Sequence, residues 1–75
     1  MWKSGCVTVN GNVYYYEIKC FHDASQYGIN GGRISKMSIR KGYDFLVSYD
    51  RGWNFKRDDD ENINSVYMGL IEKYN

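Results

Sequence analysis

Two stretches in which apolar and polar residues alternate lie on either side of Asn10-Gly11. Asn-Gly favours a two-residue type I′ turn, because both central residues of that turn need a positive φ. Gly5–Val9 and Val13–Phe21 are rich in β-branched and aromatic residues and are therefore predicted to pair as an antiparallel hairpin. The predicted core-facing residues are Val7, Val9, Tyr14, Tyr16, Ile18 and Cys20. The predicted residues of the other, more polar face are Cys6, Thr8, Val13, Tyr15, Glu17 and Lys19.

A second hairpin is predicted from Arg33–Arg40 and Asp44–Asp50, joined by a three-residue loop at Lys41–Tyr43. This loop length gathers the apolar residues on one face, whereas a two-residue loop mixes the faces. The favoured register pairs Ile39 with Phe45, Met37 with Val47 and Ser35 with Tyr49, and it leaves Lys36, Ser38, Leu46 and Ser48 on the open face. Between the hairpins lies a glycine-rich loop of about eleven residues, which is either a functional loop or a plain crossover.

The C-terminal part of the chain has the periodicity of a helix. Its apolar residues recur at helical spacing and form one stripe: Ile63, Val66, Tyr67, Leu70, Ile71 and Tyr74. The acidic run Asp58–Glu61 predicts the first turn and a capping box, and Gly69 predicts close approach to the sheet. The pattern as a whole predicts a single α+β domain, residues 1–75. In this fold one C-terminal helix packs on one face of a four-stranded antiparallel sheet made of two hairpins.

Composition limits the functions open to this chain. Ten Lys and Arg against nine Asp and Glu give no overall attraction to nucleic acid or to an acidic membrane. The first residues lack the apolar run of a secretory signal, and no apolar stretch reaches the ~18 residues of a membrane span. In the predicted hairpin Cys6 and Cys20 lie about 17 Å apart on opposite faces, too far for a disulfide. Two free thiols predict a reducing, cytoplasmic location, and the lack of a long apolar stretch predicts no membrane association.

The residues that carry chemistry do not form a catalytic or metal pattern. One His and two separated Cys cannot make a zinc site, and the acidic run beginning at Asp58 lacks the glycine and glutamate of a calcium loop. Cys20 and His22 could pair as thiol and imidazole, but only Asp23 would be at hand to orient the His. The glycines of YGINGGR precede a strand rather than a helix, unlike those of phosphate-binding loops. The sequence predicts neither an enzyme nor a cofactor.

Aromatic and basic residues next to predicted bends are the candidates for binding. The candidate binding residues are Tyr15, Tyr27, Arg33, Lys36, Arg51 and Trp53. Trp, Tyr and Arg dominate the energetics of protein interfaces. For Trp53, however, the favoured interpretation is structural, with the ring closing the end of the core. Alternatively, a basic band with Tyr15 and Tyr27 as stacking platforms could bind nucleic acid. That band would contain Lys19, Arg33, Lys36, Arg40, Lys41 and Arg51. Glu17 and Asp44 reduce its potential, and the aromatic residues do not follow the RNP pattern.

The motifs Gly-Arg-Ile-Ser-Lys, at 32–36, and Tyr-Asp-Arg-Gly-Trp, at 49–53, carry a resemblance to a known family. With Trp-x-x-Gly at 2–5 and Ser-x-Tyr-Gly-Ile at 25–29, they are similar to motifs of small uncharacterised proteins from Firmicutes genomes and their phages. The resemblance covers nearly the whole chain. It implies an accessory protein of a mobile element and brings no known activity.

Small accessory proteins of that origin often bind and block a larger host protein, including host defence machinery. The leading hypothesis is therefore a non-enzymatic protein that binds another protein. Its predicted contact surface combines the Tyr27–Arg33 loop, the open sheet face and the Arg51–Trp53 turn. The alternatives are nucleic-acid binding by the basic face and a homodimer formed through a sheet edge or the open face.

Overall fold

The computed structural model describes all 75 residues and has the predicted α+β architecture. Its strands are β1 (Trp2–Val9), β2 (Asn12–Cys20), β3 (Ile34–Lys41), β4 (Asp44–Asp50) and β5 (Trp53–Lys56). They form one antiparallel sheet in the order β1-β2-β3-β4-β5. A 3₁₀ turn at Ile29–Gly31 and one helix, α1 (Ile63–Tyr74), complete the fold. The helix covers one face of the sheet and leaves the other face open. It is neither long nor apolar enough to span a membrane.

The first hairpin forms as predicted. Asn10 and Gly11 have φ values of 51° and 79°, as a type I′ turn requires. Alternate residues of β2 are buried under the helix: Tyr14, Tyr16, Ile18 and Cys20. Val7 and Val9 of β1 lie at the margin of this core and are only partly buried. The predicted core face of the hairpin is therefore confirmed.

The prediction of four strands is wrong, because the chain continues beyond β4 into a fifth strand. Arg51 adopts a φ of 55° and reverses the chain, so that Trp53 pairs with Tyr49 and Lys56 with Val47. β5 has four residues and Asn54 bulges out of the ladder, so no clean alternation marks it in the sequence.

The predicted register of the second hairpin is also wrong. The turn contains two residues, Gly42 and Tyr43, and a β-bulge follows in β4. Arg40 pairs with Phe45 and Ile39 with Val47, so one extra residue lies between the two pairs. That extra residue, Leu46, is buried in the core, and Phe45 is half-exposed on the open face. The sequence prediction compared a two-residue loop with a three-residue loop and assumed a regular strand after either. The inserted residue shifts the alternation of buried and exposed side chains in β4 by one position.

The helix begins at Ile63, later than predicted, and the acidic run lies in the turn before it. The predicted capping box is absent, since Asn62 is the N-cap and its side chain makes no capping bond. Asp60 instead accepts hydrogen bonds from the Asn62 backbone N–H, at 2.9 Å, and from the Tyr14 hydroxyl, at 2.8 Å. Gly69 is exposed and touches nothing across the sheet, so the predicted close approach at Gly69 is wrong.

The glycine-rich loop is attached to the rest of the fold at both ends of its 3₁₀ turn. Ile29 is fully buried, and its carbonyl accepts a hydrogen bond from the Asn75 side chain, 2.9 Å away. The same side chain accepts the Ile34 N–H, at 3.1 Å. The Tyr49 hydroxyl donates to the Tyr27 carbonyl, at 2.8 Å. The loop is therefore a packed connection, and only its exposed side chains, such as Tyr27, are free to meet a partner.

Candidate functional site

The open face of the sheet carries most of the exposed aromatic side chains. Cross-strand register places its residues in three rows that run across the strands. The first row is Cys6, Tyr15, Arg40 and Phe45; the middle row is Ser4, Glu17, Ser38, Ser48 and Phe55; the third row is Trp2, Lys19, Lys36 and Asp50. We refer to these thirteen residues as the open face.

A groove of about 500 Å³ crosses the open face near β1. Small side chains, Ser4 and Ser38, lie along its floor, while Tyr15, Arg40 and Phe45 rise on one side of it. A second depression of about 210 Å³ continues the groove toward β4 and β5. Glu17 and Ser38 line both depressions. The small side chains of the middle row, Ser4, Ser38 and Ser48, therefore lie low between the larger side chains of the two neighbouring rows.

Four aromatic side chains on this face are largely exposed. The exposed fractions are 56% for Trp2, 43% for Tyr15, 50% for Phe45 and 41% for Phe55. The Arg40 guanidinium lies 4.6 Å from the centre of the Tyr15 ring, and the Lys19 ammonium lies 5.9 Å from that of Trp2. These contacts hold a cation over each of two aromatic rings in water, where the attraction is worth about 0.5–1 kcal/mol.

The charges on the open face are mixed. Lys36 lies 3.8 Å from Asp50, which also lies 3.5 Å from Arg51. Glu17, Lys19 and Arg40 form no salt bridge, although the Arg40 guanidinium donates a hydrogen bond to the Gly42 carbonyl, at 2.7 Å. The charges of these three side chains are therefore not neutralised within the protein. Because Glu17 lies in the middle row, between the cations, the face is not a uniformly basic band.

The structure separates the candidate residues named from the sequence. Tyr15 and Lys36 lie on the open face, and Arg51 lies in the β4–β5 turn at its end. Trp53 lies on the helix side, with its ring centre 5.0 Å from that of Tyr49 and 5.7 Å from that of Tyr67. Trp53 therefore closes one end of the core, although about half of it remains exposed.

The remaining two candidates lie near the glycine-rich loop. Tyr27 is exposed, while its carbonyl is held by Tyr49 from the core side. Arg33 donates from Nε to the Phe21 carbonyl, at 3.3 Å, and so braces the two ends of the loop. Tyr27 and Trp53 both neighbour Tyr49, away from the groove on the open face. The six candidate residues thus do not form one continuous surface.

Sequence reasoning missed three aromatic residues of the open face. Trp2 lies in β1, but the sequence placed the start of that strand at Gly5. Phe45 was assigned to the core by the wrong β4 register, and Phe55 belongs to the strand that was not predicted. Arg40 was named only as part of a basic band. The one available signal was composition, since more aromatic residues are present than a thin core can bury.

The cysteines, the histidine and the acidic side chains do not come together in a cluster. Cys20 is buried on the core face, His22 is in solvent 3.5 Å from Asp23, and no hydrogen bond joins Cys20 to His22. No group of three His, Cys, Asp or Glu side chains is placed to hold a metal ion. Burial raises the pKa of Tyr14 above its ordinary value. Away from the open face, the pKa of Asp59 is lowered, mainly by its hydrogen bond from Arg57.

The whole chain, residues 1–75, matches the family model described as Domain of unknown function (DUF7678), and the protein therefore belongs to that family. No curated protein and no solved structure matches the chain. The expectation of an uncharacterised domain family is confirmed at this level.

Proposed function

We propose that this member of the DUF7678 family is a non-enzymatic binding protein whose open face engages another protein. The observation that carries the proposal is the row of Tyr15, Arg40 and Phe45 beside a serine-floored groove. Aromatic and arginine side chains dominate interface energetics, and Tyr and Trp bury large areas at low entropic cost. The core side chains hold the helix on one face of the sheet, whereas Tyr15 and Phe45 lie on the opposite face and take no part in that packing.

The proposal extends to the setting of the protein. The motifs at 32–36 and 49–53 resemble those of Firmicutes and phage proteins, and we propose an accessory protein of a phage or mobile element. Its partner would be a host protein, for example a component of host defence, which it binds or inhibits. The two free cysteines suit a cytoplasmic protein, because thiols remain reduced there.

Nucleic acid is the less favoured partner of the same face. Single-stranded nucleic acid binds to exposed aromatic rings set among cations, and Trp2 with Lys19 and Tyr15 with Arg40 have that composition. Phosphates, however, require several unpaired cations, and Glu17 lies between these two pairs on the sheet. Only Lys19 and Arg40 are unpaired cations on the open face, so a protein partner fits the mixed charge better.

The proposal is tested by capture of the partner on the tagged protein. The bait is incubated with lysate of the bacterium that carries the gene or its phage, with and without nuclease, and retained proteins are identified by mass spectrometry. We expect one stoichiometric protein to survive nuclease and moderate salt. Tyr15→Ala and Arg40→Ala should each weaken its binding by at least about tenfold, as hot-spot residues do.

Tyr43→Ala is the matched control, because Tyr43 is a fully exposed tyrosine in the β3–β4 turn, outside the open face. It should leave binding and melting temperature unchanged. A bound protein that is insensitive to Tyr15→Ala and Arg40→Ala would overturn the assignment of the open face. Retention that disappears with nuclease, and an affinity that falls steeply with salt, would favour nucleic acid instead.

A further inference from the structure

The outer edge of β1 is the longest unpaired strand edge in the protein. β1 has eight residues and pairs with β2 along its whole length without a bulge. β5, at the opposite edge, has four residues and contains a bulge. Exposed strand edges pair with further strands unless proline, a bulge or covering structure prevents it. β1 has none of these protections, and Lys3 is its single charged residue.

The hydrogen-bond pattern of the hairpin shows which backbone groups of β1 point outward. Met1 and Cys20 exchange backbone hydrogen bonds, at 3.0 and 3.3 Å, and the pairs of an antiparallel ladder alternate between bonded and non-bonded. Every second residue of β1 therefore directs its N–H and C=O away from β2. The outward-directed residues are Trp2, Ser4, Cys6 and Thr8, and the side chains of the same four residues point to the open face.

We propose that β1 pairs with β1 of a second copy of this chain, antiparallel and centred on Gly5, to form a two-fold dimer. In this register Trp2 lies opposite the partner's Thr8, and Ser4 lies opposite the partner's Cys6. Each such pair exchanges two N–H···O bonds, so all four outward residues of each copy find partners. A register centred on Cys6 would instead place Trp2 opposite the partner's Asn10, which is in the turn.

The side chains near the two-fold axis fit this pairing. Gly5 presents no side chain on the helix side, where the Tyr16 phenol already lies over it, and a Cβ on Gly5 would be 2.8 Å from the Tyr16 hydroxyl oxygen. Lys3 faces the partner's Val7 rather than a second lysine. On the open face, Trp2 meets the partner's Thr8, and aromatic and β-branched residues pair favourably across strands.

The dimer would also complete the groove on the open face. Ser4, Gly5 and Cys6 line that groove where it reaches the edge of β1, so the groove ends at the edge where the second copy would begin. Pairing would join the five strands of each copy into one ten-stranded sheet. The grooves of the two copies would then join into one channel across the centre of the dimer.

Sedimentation equilibrium of the untagged protein over a concentration series tests the dimer. We expect a monomer–dimer equilibrium with a Kd below about 100 µM. Ser4→Pro removes an outward N–H that β2 does not use, and edge strands accept proline at such positions. It should raise the Kd by at least about 100-fold, because each copy loses a donor and leaves a carbonyl of its partner unpaired. Ser4→Ala keeps the N–H and should dimerise like the parent chain.

Thiol cross-linking keeps the proposal testable even if Ser4→Pro fails to fold. In the proposed register the two Cys6 residues are diagonal neighbours about 7–8 Å apart on one face, beyond a disulfide but within a short bis-maleimide. Cys20 is buried, so cross-linked dimer should form with the parent chain and disappear with Cys6→Ser. A chain that stays monomeric to about 100 µM would overturn the proposal, as would a dimer that is unaffected by Ser4→Pro and gives no Cys6 cross-link.

Discussion

The Tyr16 hydroxyl lies 2.9 Å from the Tyr74 hydroxyl and ties the middle of β2 to the last turn of α1. The hydrogen bond with Tyr74 and burial together raise the pKa of Tyr16 to about 12. The pKa of Tyr74 is lowered, mainly by the same hydrogen bond and also because Lys73 is close. In the neutral pair either hydroxyl can donate, and once Tyr74 has released its proton Tyr16 is the donor.

This pair should make the protein sensitive to alkali. Tyr16 ionises near pH 10 in the unfolded chain and near 12 in the folded one, so its contribution is complete below pH 10 and is lost between pH 10 and about 12. We expect the free energy of unfolding to fall by about 1–3 kcal/mol across that window. Urea titrations followed by circular dichroism at successive pH values measure this change. In Tyr16→Phe the fall should be smaller, and an equal fall would show that other tyrosines cause it.

Gly5→Val should displace Tyr16 from this position. A Cβ at residue 5 would lie 2.8 Å from the Tyr16 hydroxyl oxygen, so the phenol must move away from Tyr74. The cost should be about 1–3 kcal/mol in the free energy of unfolding, from overpacking and from the lost hydrogen bond. Gly69→Ala is the control, because that helical glycine is exposed and unobstructed. It should raise stability by up to about 1 kcal/mol. Equal stability of Gly5→Val and the parent chain would contradict the close packing at Gly5.

Much of the fold was readable from sequence because local chemistry and burial agreed. At Asn10-Gly11 the turn residues, the flanking β-branched residues and the alternation all indicate the same hairpin. In α1 the periodic stripe selects the buried face, although it does not show where the helix begins. Asp60 looks like part of an acidic first turn, but its carboxylate is used by Tyr14, a residue 46 positions away in the chain. No local pattern contains that contact.

The candidate site was less predictable, because it depends on two irregularities of the sheet. One inserted residue in β4 decides that Phe45 is exposed, and a four-residue strand decides that Phe55 joins the same face. Bulges and short edge strands leave almost no periodic signal. Trp53 was open to two interpretations, because a tryptophan beside a turn can close the core, which the sequence favoured, or serve as an interface anchor.

Trp53→Ala should separate those two roles. The ring packs against Tyr49 and Tyr67, so its removal should lower the free energy of unfolding by about 1.5–3 kcal/mol, less than for a fully buried tryptophan. Chemical denaturation measures the loss, and Tyr43→Ala, at a fully exposed tyrosine, should show none. If Trp53→Ala retained full stability, the ring would be free to serve as an interface anchor.

Asn75→Ala should loosen the glycine-rich loop. The Asn75 side chain accepts the Ile34 N–H and donates to the Ile29 carbonyl, and its loss leaves both backbone groups without these partners. We expect a loss of about 1–3 kcal/mol and faster amide hydrogen exchange at residues 29–34. Asn54→Ala, which removes one exposed bond to Ser48, should leave that exchange unchanged. Unchanged exchange in Asn75→Ala would mean that the burial of Ile29 alone holds the loop.

The extra residue in β4 changes which residues of the strand face the core on its two sides. In an unbroken strand fixed by Val47 and Tyr49, Phe45 would enter the core and Leu46 would face outward. The bulge reverses both, which no single substitution in the strand could do. Substitutions at Leu46 therefore alter how well the core is filled and leave the open face unchanged. Shortening β4 by that one residue would keep Phe45 outside and remove a core side chain, so surface and interior can be varied separately at a single position.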